Sequence, residues 1–300
     1  MQTLYEQFHQ LLELTPMNFF REQHDTINWD VRILGILGQK GVGKSTLILQ
    51  HIKRTGNKNE SLYVIADDIY FSAHTLLDTA KSFFARGGKY LYIDEIHKYP
   101  GWSQEVKNIY DSLPLLHVVY SGSSILDLKE GGADLSRRVI EYHLPVWSFR
   151  EYLNLRNGWS LKPASLEDVL QGKVDFPYGA ERPLKYFEEY MKKGCYPFFQ
   201  EPEFETRMRQ VINTTVEVDI PKYARMTIAA TQKQEDAVAL LMSDVGIASF
   251  MQYTPDASGT QGLFAYKALQ KHFDYTAAYV PKAIEGPSRF SEILPQELPL

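Results

Sequence analysis

Eight consecutive residues, Gly38-Gln39-Lys40-Gly41-Val42-Gly43-Lys44-Ser45, follow the pattern Gly-x4-Gly-Lys-Ser. This combination can bind phosphate. The glycines let the chain curl until successive N–H groups point inward at phosphate oxygens. A helix opening at the same spot adds its positive end. The Lys44 ammonium is a mobile charge for β- and γ-phosphates, and the Ser45 hydroxyl can ligate Mg2+. The whole loop, with Thr46 after it, is the candidate nucleotide cradle. With glycine at about 7% of residues in ordinary proteins, a chance match in a chain this long is roughly a 1% event, so a merely flexible turn is the weaker explanation.

A second cluster would hold the metal and the attacking water. Lys89-Tyr90-Leu91-Tyr92-Ile93-Asp94-Glu95 is an apolar run that ends in two carboxylates. Asp94 is placed to accept a hydrogen bond from a metal-bound water or from Ser45. Glu95, directly after it, can polarise a water for in-line attack on the γ-phosphate. Transfer to a bound acceptor does not need that second acid, so the pair favours hydrolysis of ATP over a kinase. The plainer reading makes both acids caps of the next helix. His97, two residues on, either orients Glu95 or is an ordinary loop residue.

Two more groups could act on the same phosphates. Tyr120-Ser121-Gly122-Ser123-Ser124 ends another apolar run. If that strand lies between those of the phosphate loop and of Asp94, Ser121 or Ser123 can touch the γ-phosphate or the water. Alternatively Ser123 or Ser124 caps a helix. Arg137-Arg138 precedes the last run, and a guanidinium suits the spreading charge of phosphoryl transfer, in trans as an arginine finger. The alternative is a surface pair bridged to Glu141 or Asp134.

These residues need a frame. The first half has short apolar runs at Val31–Leu37, Ser61–Ala66, Tyr90–Asp94, His117–Ser121 and Val139–His143. Bounded by turn residues or charges, they read as buried parallel strands. Helical patterns lie between them: Gly43 to about Arg54, Ala73–Ala85, and Trp102–Leu113, which Pro114 ends. Alternating strand and helix gives a doubly wound α/β domain over residues 1–145. Met1–Leu14 reads as a further helix with Leu4, Phe8, Leu11 and Leu12 on one face. Residues 146–235 read as a mostly helical lid region with aromatic anchors, among them Trp147, Phe149, Tyr152, Tyr186, Phe187 and Tyr190. Residues 236–300 form an irregular or degenerate segment, with Pro281, Pro287, Pro295 and Pro299 near its end.

Composition narrows the classes. The chain has 300 residues, 44% of them apolar, and a formal net charge of −5, so it is not one large basic patch for nucleic acid or anionic lipid. Its single cysteine, Cys195, allows neither an intrachain disulfide nor a multi-cysteine zinc site. There is no His-Glu-x-x-His pattern. No run approaches the roughly 20 apolar residues that span a bilayer, and the start lacks a signal-peptide pattern. The expectation is a cytoplasmic protein with no membrane partner.

The chain resembles prokaryotic AAA-type P-loop ATPases that carry an uncharacterised C-terminal domain. The resemblance rests on residues 38–46, on Leu-Tyr-Ile-Asp-Glu-Ile-His-Lys-Tyr-Pro-Gly-Trp (91–102), on Tyr-Ser-Gly-Ser-Ser (120–124) and on Leu-Pro-Val-Trp-Ser-Phe-Arg-Glu-Tyr-Leu (144–153). Lys-Gly-Cys-Tyr-Pro (193–197) is a weaker fifth segment. The resemblance implies ATP and Mg2+, slow hydrolysis, a five-stranded sheet of order 5-1-4-3-2, and a helical lid. It gives Lys44, Ser45, Asp94 and Glu95 the roles argued above. The family's arginine usually follows a glycine; here Arg138 follows Arg137, which leaves open which one acts. Relatives usually continue through a helix-turn-helix and a nuclease-like fold, so the C-terminus here looks shortened or altered, a shifted reading frame being one hypothesis. The leading expectation is an Mg-dependent ATPase. The alternative is a slow nucleotide-gated switch acting on a protein or DNA partner. A homo-oligomer would supply the finger in trans.

Overall fold

The computed structural model describes residues 1–123, 135, 137–173, 183–190, 193 and 195–214. Five strands form one parallel sheet: β1 (Ile33–Leu37), β2 (Ser61–Ile65), β3 (Tyr90–Asp94), β4 (His117–Gly122) and β5 (Ile140–His143), in the order β2-β3-β4-β1-β5. This is the expected 5-1-4-3-2 order counted from the other edge. β1 lies inside the sheet, between β4 and β5, and is buried at every residue, as its unbroken Ile-Leu-Gly-Ile-Leu run requires when both faces are covered. Gly35 in its middle is obligatory, because a Cβ there would meet the Tyr120 ring at 2.8 Å.

Alternation of side chains divides the sheet residues between two faces. Ile33, Leu62, Val64, Leu91, Ile93, Val118 and Tyr120 join the core with Leu76, Ala80 and Phe83 of α4 (Leu76–Ala85) and with Val106 and Ile109 of α5 (Trp102–Ser112). The opposite parity holds Tyr63, Asp94 and Ser121. α3 (Lys44–Thr55) follows β1 and buries Leu47, Ile48 and Ile52. α1 (Gln2–Leu14) buries Leu4, Phe8 and Leu12, while Leu11 is only half-buried.

Element boundaries differ from the sequence reading by one to three residues, β2 ending at Ile65, β4 at Gly122 and α5 at Ser112 among them, and three shifted starts have local reasons. The helix expected from Ala73 starts at Leu76, because the Thr75 side chain accepts from the Asp78 N–H and caps it there. Ile69–Ser72 forms a separate 3-10 turn capped by Asp68. β1 begins at Ile33 and β5 at Ile140, where ladder pairing with their neighbours starts.

The segment between α1 and β1 includes the short α2 (Gln23–Thr26) and is strapped onto α3. Lys53 donates to the carbonyls of Leu12, Glu13 and Thr15, and Gln50 donates to those of Pro16 and Phe19. After β5, α6 (Phe149–Asn157) starts with a capping box between Ser148 and Glu151. Glu151 also forms a buried ion pair with Arg21 at 2.7 Å.

The chain divides into two compact units, Met1–Pro177 and Tyr178–Leu300. The sequence-drawn boundary at 145/146 falls inside the first, which also holds α6 and α7 (Leu166–Leu170). In the second, the described part has α8 (Pro183–Glu189), a 3-10 turn at Pro197–Gln200 and α9 (Phe204–Thr214). Tyr196, Phe198, Phe199, Phe204 and Met208 are buried there. Residues 215–235 of the expected lid and the whole 236–300 segment lie outside the described residues. Among the described residues, no helix is long and apolar enough to cross a membrane.

Candidate functional site

The Gly38–Ser45 loop joins β1 to α3, at the strand ends where open parallel sheets hold their ligands. Gly41 and Gly43 take φ of 87° and 99°, backbone that other residues rarely adopt. Gly38 is needed for space instead: a Cβ on it would lie 2.6 Å from the Leu144 carbonyl oxygen. Val42 is fully buried beneath the loop, whereas Lys40, Gly41 and Thr46 are exposed and Gln39 half-buried. The Lys44 ammonium donates to the Gly38 and Gln39 carbonyls at 2.8 and 2.9 Å.

Register and parity bring the second cluster beside this loop. Ile65 pairs with Asp94 and Ile93 with Tyr120, so Asp94 and Ser121 are neighbours on one face. Asp94 accepts from the Ser121 hydroxyl, from the Tyr63 hydroxyl at 2.5 Å and from the Glu95 N–H at 3.1 Å. The Ser121 oxygen in turn accepts from the same Glu95 N–H. Of the two candidate serines, Ser121 makes the Asp94 contact. Ser123 is half-buried just past the end of β4.

Glu95 is the only described non-glycine residue with positive φ, at 53°. Such backbone at a site is uncommon for a residue with a side chain and turns the carboxyl out of the strand direction. Burial raises its pKa above the ordinary 4.5; Lys44 opposes this, and the Asp94 charge adds to it. His97 Nε2 lies 3.5 Å and Lys98 Nζ 3.7 Å from the same carboxyl oxygen, with Lys98 also bridged to Asp67 at 2.6 Å. The sequence alternatives for His97 therefore resolve toward a residue next to Glu95.

Arg137 and Arg138 are not brought to this cluster within the chain. Both precede β5, at the strand ends opposite the phosphate loop, roughly 15 Å away by strand rise. Arg137 is exposed. Arg138 pairs with Asp111 at 3.4 Å and stacks over the Tyr110 ring. Asp111 is thus one of its surface partners; Glu141 accepts from the Tyr120 hydroxyl, and Asp134 lies outside the described residues.

Tyr63 is the residue that sequence reading missed. A signal existed: a tyrosine inside a fully buried strand must find a partner for its hydroxyl. The partner could not be named until the pairing of β2 with β3 was known.

The donor set suits Mg2+. Ser45 and Asp94 offer hard oxygen ligands, and among the described residues no group of three or more His, Cys, Asp or Glu forms an all-protein cage. Mg2+ in phosphate sites keeps waters and phosphate oxygens and needs no such cage.

Residues 30–153 match the family model of the AAA domain. That span holds the whole five-stranded sheet, whose order is the one the resemblance implied. Residues 191–299 match the model of the peptidase C10 family. Of that span, only 193 and 195–214 are described, and Cys195 is buried there with its thiol toward the Tyr190 carbonyl. Among solved structures, the chain is similar to AMPPCP-bound DnaA from Aquifex aeolicus, at 14% identity and a TM-score of 0.37, over 89% of this chain and 87% of that one. It is similar to a DNA replication initiation factor at 14% identity and TM-score 0.34, over 90% and 95% of the two chains. C. elegans PCH-2 follows at 11% identity and TM-score 0.33, over 89% and 67%. No curated protein matches the sequence.

Proposed function

We propose that the AAA-type domain binds ATP with Mg2+ and hydrolyses it, with Glu95 as general base. The observation that carries this reading is the position of Glu95: it leaves the end of β3 in left-handed backbone, its N–H held by Asp94 and by Ser121 of β4, the strand that pairs with the β1 end bearing the phosphate loop. Loop N–H groups and Lys44 bind the phosphates, Lys44 exchanging its two carbonyl contacts for phosphate oxygens. Ser45 and Asp94 hold Mg2+, which when bound neutralises charge on the phosphates. Tyr63 and Ser121 keep Asp94 oriented. The Glu95 carboxylate takes the proton of the attacking water.

Binding is tested by titrating a fluorescent ATP analogue with and without Mg2+. The wild type should bind, more tightly with Mg2+, and Lys44→Ala should not. Equal binding by Lys44→Ala would overturn the phosphate-loop assignment.

One observation favours a slow switch as the second reading. Among the described residues neither candidate arginine lies at the site within one chain, so Arg137 and Arg138 supply no guanidinium to their own chain's transition state. Turnover below about 1 per minute, against the usual 1–10³ per second, would fit a switch. Faster turnover in an oligomer, lost in Arg138→Ala, would fit a finger supplied by a neighbour.

A further inference from the structure

We infer that Arg21 is a positioning residue for the phosphate loop: it fixes the direction of the Gly43 N–H by holding the Val42 carbonyl. The functional consequence rests on the ATP-binding reading; the geometry does not. Arg21 is buried, 5% exposed, and lies far from the loop in sequence. Its Nη1 donates to the Val42 oxygen at 3.0 Å. Its Nε donates to Glu151 at 2.7 Å, and its Nη2 to the carbonyls of Pro145 and Val146 at 2.9 and 3.3 Å. With the Gln23 side-chain oxygen at 3.5 Å from Nη2, four groups outside the loop hold the planar guanidinium, leaving Nη1 aimed at Val42.

A trans peptide unit is planar, with its C=O and N–H pointing in opposite directions. Pinning the Val42 oxygen outward on Arg21 aims the Gly43 N–H inward, to the side where phosphate would lie. The Val42–Gly43 unit is the one that needs such help. Gly43 adopts φ 99° and ψ 24°, and glycine flanks it at position 41 too, so intrinsic preference does little to prevent the peptide from flipping. Lysine at position 21 could not do this, since a point charge cannot engage Glu151, two carbonyls of the β5 exit and Val42 at once. Glu151 is also the capping-box acid of α6, so the same guanidinium ties the loop to the start of that helix.

The test is amide hydrogen exchange of the full chain without nucleotide, read on peptides covering residues 38–49. Arg21→Gln should speed exchange in the loop by about ten-fold, as expected for loss of a hydrogen bond from a charged donor. Peptides from β3 and β4 should exchange as in the wild type. Arg21→Met/Glu151→Met, which removes both buried charges, guards against misfolding and should show the same loop effect. Glu151→Gln, which leaves Arg21 on Val42, should loosen α6 alone. Unchanged loop exchange in the Arg21 variants, or equal loosening by Glu151→Gln, overturns the inference. A second arm compares ADP with adenosine: Arg21→Gln should weaken ADP by about ten-fold and leave adenosine unchanged. A wild type that binds neither ligand refutes the ATP reading, while the exchange data still decide the role of Arg21.

Discussion

Replacing Tyr63 by Phe deletes one hydroxyl from the sheet face that carries Asp94. Both residues are almost wholly buried, so water does not replace the lost donor. Asp94 would keep the Ser121 hydroxyl and the Glu95 N–H. A hydrogen bond to a charged group contributes about 1.5–3 kcal/mol, against about 0.5–1.5 for a neutral pair. Tyr92 supplies the neutral control: it pairs with Tyr63 in register, is equally buried, and its hydroxyl is influenced by Tyr90 and Ser61 rather than by a carboxylate. At roughly 2–4 °C per kcal/mol for domains of this size, Tyr63→Phe should lower the melting temperature by about 3–12 °C and Tyr92→Phe by no more than about 6 °C. Burial, then the Asp94 charge, push the Tyr63 pKa above the ordinary tyrosine range, so the effect should be constant from pH 6 to 9. Thermal unfolding by circular dichroism measures it. A Tyr63→Phe loss no greater than that of Tyr92→Phe would refute the reasoning.

Gly38→Ala forces a Cβ to within 2.6 Å of the Leu144 backbone oxygen, so it should cost about 1–3 kcal/mol and weaken nucleotide binding; a neutral variant would contradict the close packing of loop and β5. Because the pKa of Glu95 is raised, hydrolysis should fall off on the acid side above the usual carboxylate range, and Lys98→Met, which removes a charge that lowers this pKa, should move that limb to higher pH. The fold holds the Glu95 proton more tightly than the unfolded chain does, so the charged form costs stability as pH rises through this range; Glu95→Gln should therefore raise the melting temperature more at pH 8 than at pH 4. Burial lowers the pKa of His51 from 6.5 to about 4, aided by His24 and Arg54, so the stability held by its neutral ring is complete above pH 6.5 and lost as pH falls toward 4. After screening at a partly exposed ring, this amounts to about 1–2 kcal/mol, and His51→Phe, which keeps the stack on Trp29, should flatten the loss measured by urea unfolding between those pH values.

The parts of the site carried by consecutive residues were legible. The phosphate loop, the Asp94-Glu95 strand end and the five strands follow from local pattern, since a loop that cradles phosphate and a strand buried on both faces each leave a contiguous mark. What depends on pairing between distant segments did not show. Tyr63 meets Asp94 only because β2 lies beside β3, and Arg21 meets Val42 and Glu151 only because the strap before β1 folds back over α3. Glu95's positive φ was equally hidden, because it is imposed by the exit from the sheet and not by residue type. Arg138 is a different case: the sequence suggested a finger acting in trans, and the strand's direction, which puts it at the end of the sheet away from its own chain's phosphate loop, bears only on a role within one chain.

The central claim is that Glu95 activates water over ATP held by the phosphate loop. Its most direct test is phosphate release by Glu95→Gln, measured with Mg2+ on protein shown to bind ATP as tightly as the wild type. The account predicts retained binding with hydrolysis reduced at least about a hundred-fold, the usual contribution of a general base. Hydrolysis at the wild-type rate by a variant that binds ATP normally would contradict it.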